Sequence, residues 1–596
     1  MVVDLKDVVP FLVWLPGALL SWLLVVVCVA VGTTVAGWLV SAMRYGPWVA
    51  TQIIGRVLWD APLDWIYLSP RRVWALARLA IQESIRRRVV VVFAVFILIL
   101  LFAGWFLDPG SVDPARLYLG SVLTITSYLV LLLVLLLSSL SLPADIKNRT
   151  LHTVVTKPVR ASEVVLGRIV GFAAVGTLLL VVMGAVNYVF VERGLTHTHQ
   201  LTADNLHPIE GAVAGKRATL RGSTSRVHQH RHKVTIDPKG AGHVEMEQRH
   251  THQLFVEKDG SYRLGPPEGM LVARVPLYGK LGFRDPAGKT VEKGINVGDE
   301  WTYRSFISGG TLAACVWTFE GVTEDAFPTG LPVETNIEVF RTHKGEIEKG
   351  VPGSLSVRNP RTGKKVEVRI FESKEFMIDM QFIPRELQLS GGKKADLFKD
   401  FVDDGKLEIW LQCVAPGQYF GAAQADLYLR ARDASFAWNF VKGYIGIWLQ
   451  MLLVIGVGVM FSTFLSGPVA MLATLGALLG GFFNDFMLRL ATGQTYGGGP
   501  FESIIRILTQ QNMTSPMEPG LRTTVAQTLD QAAEVVLRGM ATILPDFGRF
   551  SFAEYVASGF NISGDTVLTF TCRAFAFVLP VLVTGYLCLK NREVAR

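Results

Sequence analysis

The chain is short of charge. Only 18% of its 596 residues are Asp, Glu, Lys or Arg, while half are apolar. An average soluble domain is about 25% charged. The shortfall gathers in long apolar blocks, which excludes an ordinary soluble globule. Cysteine is scarce as well, and five residues cannot make a disulfide framework. Cys28, Cys572 and Cys588 lie in apolar blocks. Cys315 and Cys413 lie in a polar region, as a pair in an oxidising compartment or as two separate buried thiols. Catalytic signatures are missing too: there is no zinc-protease helix, no nucleophile elbow and no convincing acid pair. A phosphate loop reads G-x-x-x-x-G-K-[ST]. The nearest string, Gly282–Thr290, has one residue too many between its glycines, so Asp285–Gly288 reads as a turn. The apolar blocks are poor in ionisable residues, which argues against proton-coupled transport by this chain alone.

What is present in their place is a series of apolar blocks, and about 20 apolar residues suffice to cross a hydrocarbon core. The blocks run approximately over 11–43, 89–107, 117–142, 164–190, 441–464, 469–488 and 567–589. The first reads as a retained helix, not a signal peptide. The net charge of +8 sits beside the blocks, as expected of cytoplasmic flanks and not of a nucleic-acid surface. Arg44, Arg56, Arg71 and Arg72 follow the first block; Lys147, Arg149, Lys157 and Arg160 fall between the third and fourth; Lys590 and Arg592 follow the last. This predicts an outer N-terminus and a cytoplasmic C-terminus. Over Arg71–Arg88, Val73, Leu76, Ala77, Ala80, Ile81 and Ile85 share a helical face opposite Arg78, Glu83 and Arg87. Such a helix lies in the cytoplasmic interface, or else forms the first turns of the next span.

Residues 191–438 are polar and rich in turn signals: Asp237-Pro238, Asp259-Gly260, Asp285–Gly288, and Asn359-Pro360 with Gly363. Strand-like runs include Val366–Phe371, Phe376–Phe382 and Leu407–Leu411. One β-sandwich-like domain is expected, outside the cytoplasm, with Trp438, Phe440, Tyr444 and Trp448 marking the return to the membrane. Gly476 and Gly480 form a small-xxx-small pair. Residues 489–566 are mixed, with an amphipathic helix over Leu521–Ile543 ended by Leu544-Pro545-Asp546. No internal repeat is apparent. The expected fold is a polytopic α-helical membrane protein of about seven transmembrane helices with an inserted, mainly β extracytoplasmic domain. Its sections are 1–70, 71–190, 191–438 and 439–596.

Nine of the eleven histidines lie between His197 and His252. They include His197-x-His199, His228-x-His230-x-His232 and His250-x-His252. On strands, alternation puts each set on one face. His228, His230, His232, His250 and His252, from two strands, then form a candidate Zn or Cu site, with Glu245 and Glu247 nearby. Arg226, Arg231, Lys233 and Arg249 would oppose a cation there. A His-rich polar segment with no metal, or a pH-sensitive patch, fits the same composition.

The stretch Asp145–Arg168 resembles the cytoplasmic loop of exporter-type ATP-binding-cassette permeases. It carries Asp145, Thr150-Leu151, Thr156-Lys157-Pro158-Val159, Arg160 and Gly167-Arg168, with Arg149 where that family often has Gly. The amphipathic segment before Val89 resembles the elbow helix of the same family. The Ser462–Pro468 turn and Leu544-Pro545-Asp546-Phe547 also resemble it, most nearly the copper-enzyme-maturation and gliding-motility permeases. The likeness covers about 71–190 and 439–596 and leaves 191–438 as an insertion. It implies a multi-pass permease subunit in a bacterial inner membrane, paired with a second permease subunit as homo- or heterodimer. ATP and Mg would be held by a separate ATPase subunit. Asp145, Arg149, Thr150, Thr156, Pro158, Arg160, Gly167 and Arg168 would couple the two, and Arg78, Glu83 and Arg87 would belong to the elbow helix. A short loop helix bracketed by Pro143 and Pro158 would act as the lever. The competing expectation is a membrane-anchored metal-binding or sensor protein whose helices are a platform.

Overall fold

The computed structural model describes residues 10–85, 90–103, 106–111, 113–148, 159–208, 219–237, 241–257, 261–296, 304–342, 350–373, 379–389, 392–493, 497–513, 515 and 517–591. Arg87, Arg149, Thr150, Thr156 and Pro158 lie outside these residues. The chain divides into two compact units: the helices together with residues up to Leu271 form one, and Val272–Phe436 with Gly559–Asn561 form the other.

In the helical unit, α1 (Phe11–Tyr45), α2 (Pro47–Ile66), α3 (Pro70–Ser84), α4 (Val90–Ala103), α5 (Pro114–Lys147) and α6 (Ala161–Leu195) precede the β-rich region. After it come α7 (Phe436–Phe464), α8 (Gly467–Phe482), α9 (Asn484–Ala491), α10 (Pro500–Thr509), α11 (Leu521–Ile543), α12 (Ala553–Ala557) and α13 (Gly564–Asn591). Among the described residues five helices are long and apolar enough to cross a membrane: α1, α5, α6, α7 and α13. The pair α8 and α9, bent by 66°, makes a sixth if it is one span. The expected seven therefore meets five or six, with α4 described over 14 residues, about 21 Å of helix. Helix α1 buries none of its residues although it is apolar all round, the pattern of a lipid-facing span. The segment after it, up to residue 70, holds α2, which turns back at Gly46 (φ 84°) and packs on α1. Pro143 does not bound a loop helix; α5 continues through it to Lys147.

The bend at α8–α9 has a local cause. Asn484 donates to the carbonyls of Ala541 and Leu544 at 2.8 and 3.0 Å, and Phe547 N donates to Gly481 O at 3.1 Å. A Cβ on Gly481 would meet the Phe547 ring, so this glycine admits the Leu544–Phe547 segment. Of the small-xxx-small pair, Gly476 has open space around it, while a Cβ on Gly480 would meet the Leu544 side chain at 2.9 Å.

The separate unit carries sheets that share one core around Trp317, Phe319, Phe401 and Phe420. Strand Leu407–Cys413 alternates buried and half-buried residues, as period-2 patterning requires. The expected strands appear as Lys365–Ser373, Asp379–Pro384 and Leu407–Cys413. Asp285–Gly288 is the turn of a hairpin between Lys280–Arg284 and Thr290–Val291, with Gly288 at φ 82°. The strand Thr290–Val291, not a helix, follows the turn directly, so a phosphate-loop reading is ruled out there. Cys315 and Cys413 are free, buried thiols. Burial pushes both up, Cys413 to about 11.

The remaining strands belong to the helical unit: β1 (Gln200–Leu201), β2 (Leu206–Pro208), β3 (Leu220–Ser223), β4 (Lys233–Ile236), β5 (Gly242–Val244), β6 (Thr251–Val256) and β7 (Tyr262–Glu268). They pair in the orders β2-β3-β4-β5 and β1-β7-β6 over a small core of Leu201, Leu206, Val234, Ile236, Val244 and Leu264. The single domain expected over 191–438 is thus two β assemblies, because the first hairpins close on their own core.

Candidate metal centre

The first assembly is built on a repeat that composition hides. His230-Arg231-His232 and His250-Thr251-His252 stand 20 residues apart. Each follows a turn with paired left-handed residues, His228 and Gln229 (φ 46° and 64°) in one and Gln248 and Arg249 (φ 45° and 64°) in the other. Each turn closes with a matching bridge, Val227 to His230 and Glu247 to His250. The third copy, His197-Thr198-His199, follows α6 directly and runs into β1. The string His-Thr-His-Gln-Leu occurs at both 197–201 and 250–254. The reading that no repeat exists is therefore corrected.

All six imidazoles are buried, none more than 7% exposed. Every Nδ1 faces a backbone carbonyl. In the first position of each pair the carbonyl lies two residues back: Leu195 for His197 (2.8 Å), His228 for His230 (3.2 Å) and Gln248 for His250 (3.3 Å). In the second position it lies on a later segment: Ser225 for His199 (2.7 Å), Glu245 for His232 (2.9 Å) and Gly265 for His252 (2.8 Å). A carbonyl oxygen only accepts, so each neutral ring carries its proton on Nδ1 and turns the Nε2 lone pair inward. The Nε2 atoms then meet each other: His250 lies 3.1 Å from His197 and 3.2 Å from His230 and His232, and His199 lies 3.2 Å from His230. These contacts hold no proton to share. His252 Nε2 is buried without a hydrogen-bond partner. A centre of converging acceptors, each held by an outer carbonyl, is the arrangement of a metal site. Two overlapping groups, His197, His199, His250, His252 and His199, His230, His232, His250, bring their ligand atoms within 4.8 Å, so this buried cluster can hold a metal ion.

Burial is the main reason His197, His199 and His232 resist protonation: it holds them at about 4, and mutual repulsion adds to it. Of the five histidines expected, His230, His232, His250 and His252 belong to the centre. His228 does not. It is half-buried beside His197 and supplies a backbone carbonyl. His197 and His199 complete the set; the signal was their spacing, identical to that of the other two pairs. Glu245 contributes its carbonyl, not its carboxylate. The flanking cations do not enter: Arg231 and Lys233 are exposed, and Arg249 pairs with Asp113.

A second cluster gathers several of the residues expected to couple motion. Arg168 on α6 donates to Glu83 at 2.9 Å and to Ser141 at 2.6 Å, and pairs with Asp145. It thereby ties α3 and α5 to α6. Five residues earlier, fully buried Glu163 accepts from Arg72 (2.7 and 2.9 Å), Ser69 N (2.9 Å) and Arg160 N (3.1 Å). Arg160 also donates to Leu63 O at 2.7 Å. Arg78 is exposed on α3. Asp64, which the sequence did not single out, accepts from Tyr586 and Lys590 at 2.7 and 2.8 Å.

No protein family, curated protein or solved structure matches this chain. Its reading rests on its own geometry.

Proposed function

We propose that the protein is a multi-pass membrane protein that binds a divalent transition-metal ion in its histidine assembly, on the extracytoplasmic side. One observation carries this: six buried Nε2 lone pairs converge with every Nδ1 held by a carbonyl. Isolated acceptors at such distances repel, and a cation between them reverses the sign of the interaction. The assembly is also tied to the membrane helices. Leu195, whose carbonyl holds His197, is the last residue of α6. Gln248 Nε2 donates to Gly110 O at 3.0 Å, and Arg249 pairs with Asp113, the N-cap of α5. Calorimetry on the full chain in detergent, stripped with a chelator and titrated with Zn(II), Co(II) and Ni(II), should give one ion per chain. His230→Ala with His250→Ala should abolish binding while the helical far-UV signal of the spanning segments is retained. An absence of binding by the parent chain overturns the reading.

The buried Arg168 cluster favours a second, compatible reading: a permease subunit of an ATP-binding-cassette transporter, with ATP hydrolysed by a separate subunit. An interfacial helix clamped by ion pairs to two spanning helices is a rigid body, as lever-like transmission requires. Co-purification tests this: an ATPase should accompany the chain from native membranes and be lost when residues 149–158 are replaced by a Gly-Ser linker. Its absence from the parent preparation counts against the reading.

A further inference from the structure

The arrangement of the six rings goes further than the convergence of their nitrogens. Every imidazole stands edge-to-face against all the others but one, with ring centroids 4.8–5.2 Å apart and planes at 72–90°. The partner each ring does not meet is its opposite: His197 faces His232, His230 faces His252, and His250 faces His199 across the centre. This is the adjacency of an octahedron's corners. It also follows the repeat, since the first histidine of each pair opposes the second of the next pair in cyclic order. Four neighbouring pairs of Nε2 atoms, among His197, His199, His230, His232 and His250, are 3.1–3.2 Å apart. An octahedron with that edge has its centre about 2.2 Å from each corner, close to the roughly 2.0–2.1 Å of a zinc–imidazole bond.

We infer that the assembly is a coordinatively saturated, six-imidazole octahedral site for a divalent ion that favours six ligands, of the Mn(II), Fe(II), Co(II), Ni(II) series. The inference rests on the metal-binding reading above and specifies its ligand. Zinc in a closed protein site is almost always tetrahedral, and Cu(II) prefers tetragonal fields, so neither matches six equivalent nitrogens. Saturation has a chemical consequence. With every position filled by protein, no water or substrate can reach the ion, which excludes Lewis-acid hydrolysis there. The role left is that of a staple. Among the described residues the three His-x-His segments share a core of six buried apolar residues, with Leu220, Leu254 and Tyr262 partly buried against it, small for an assembly of this size without a cross-link. The ion joins all three at once, and its binding energy becomes folding energy.

X-ray absorption on the Ni(II)-loaded full chain decides the matter. The expected result is six nitrogen neighbours with imidazole multiple scattering, and weak octahedral d–d bands in the Co(II) form. His252→Ala should leave five nitrogens and one water oxygen, and His199→Ala provides the same test at the opposite end of another axis. Ni(II) should displace Zn(II) in competition by at least tenfold. Four nitrogen neighbours, or intense tetrahedral Co(II) bands, overturn the six-coordinate inference and leave the metal-binding reading standing. No uptake of Mn(II), Co(II), Ni(II) or Zn(II) overturns both.

Discussion

Thr224 shows how much of the centre depends on single outer contacts. It is buried, and its hydroxyl accepts from His232 N at 3.0 Å and lies 3.4 Å from His199 Nδ1. Thr224→Val removes both contacts in an isosteric side chain and should weaken metal binding about tenfold, the usual scale for an outer-shell partner; calorimetry with Ni(II) measures it. The low basicity of three of the rings has its own consequence. Burial first, then neighbouring imidazoles, hold His197, His199 and His232 at about 4, below the 6.5 of a free imidazole. As pH falls the unfolded chain therefore takes up protons before the folded one. The stability these rings contribute is present above about 6.5 and lost as pH falls towards 4. Thermal melts of the metal-free chain should show a falling melting temperature from pH 7 to pH 4.5. The sequence made these residues visible as a run of His-x-His pairs. It could not reveal that His228 stays outside the converging set, because left-handed backbone at His228 and Gln229 breaks the alternation that strand patterning assumes.

Between helices, the decisive contact is α3 against α6. A Cβ on Gly167 would lie 2.6 Å from Leu76 Cβ, and one on Gly171 would lie 2.7 Å from Ala77 O. The two glycines, one helical turn apart, let α3 approach closely enough for Arg72 to reach Glu163 and for Glu83 to reach Arg168. Gly171→Val should push the helices apart and lower stability by about 1–3 kcal/mol, read as a lower melting temperature in detergent. Gly32→Ala, with open space around it, should not. Arg168→Met leaves Glu83 and Asp145 facing each other without their cation. A loss on the order of 3 kcal/mol is expected for breaking such a pair, and Arg168→Met with Glu83→Gln should recover part of it in the same melts. Gly167, Arg168, Glu83 and Asp145 were legible as a pattern of residue types. That they form one cluster was not, since it needs α3, α5 and α6 to meet, and sequence spacing carries no information on that.

Across the whole molecule, α6 links the two sites. Its C-terminal carbonyl at Leu195 holds His197, and its first turns carry Glu163 and Arg168. Its 35 residues span about 52 Å, enough to cross a bilayer. The metal assembly and the ion cluster should therefore lie on opposite faces of the membrane. Impermeant thiol reagents test this: a cysteine at exposed Met246 should label in intact cells, and one at Arg78 only after permeabilisation. Both labelling from the same side would refute the assignment.

Composition and charge alone established apolar spans, a β-rich insertion, the amphipathic helix over Leu521–Ile543 and a concentration of histidine. These follow from transfer free energy and period, which act locally along the chain. Tertiary structure decided the rest. It divided the insertion into two β assemblies, bent α8 against α9 on the Leu544–Phe547 segment, and brought three distant His-x-His pairs to a common centre. Each of these depends on hairpins and helices closing on partners far away in the chain, and on which carbonyl happens to meet each Nδ1. Pairing of that kind is set by packing in three dimensions, and the His-x-His repeat in the sequence marks its members without saying where they meet.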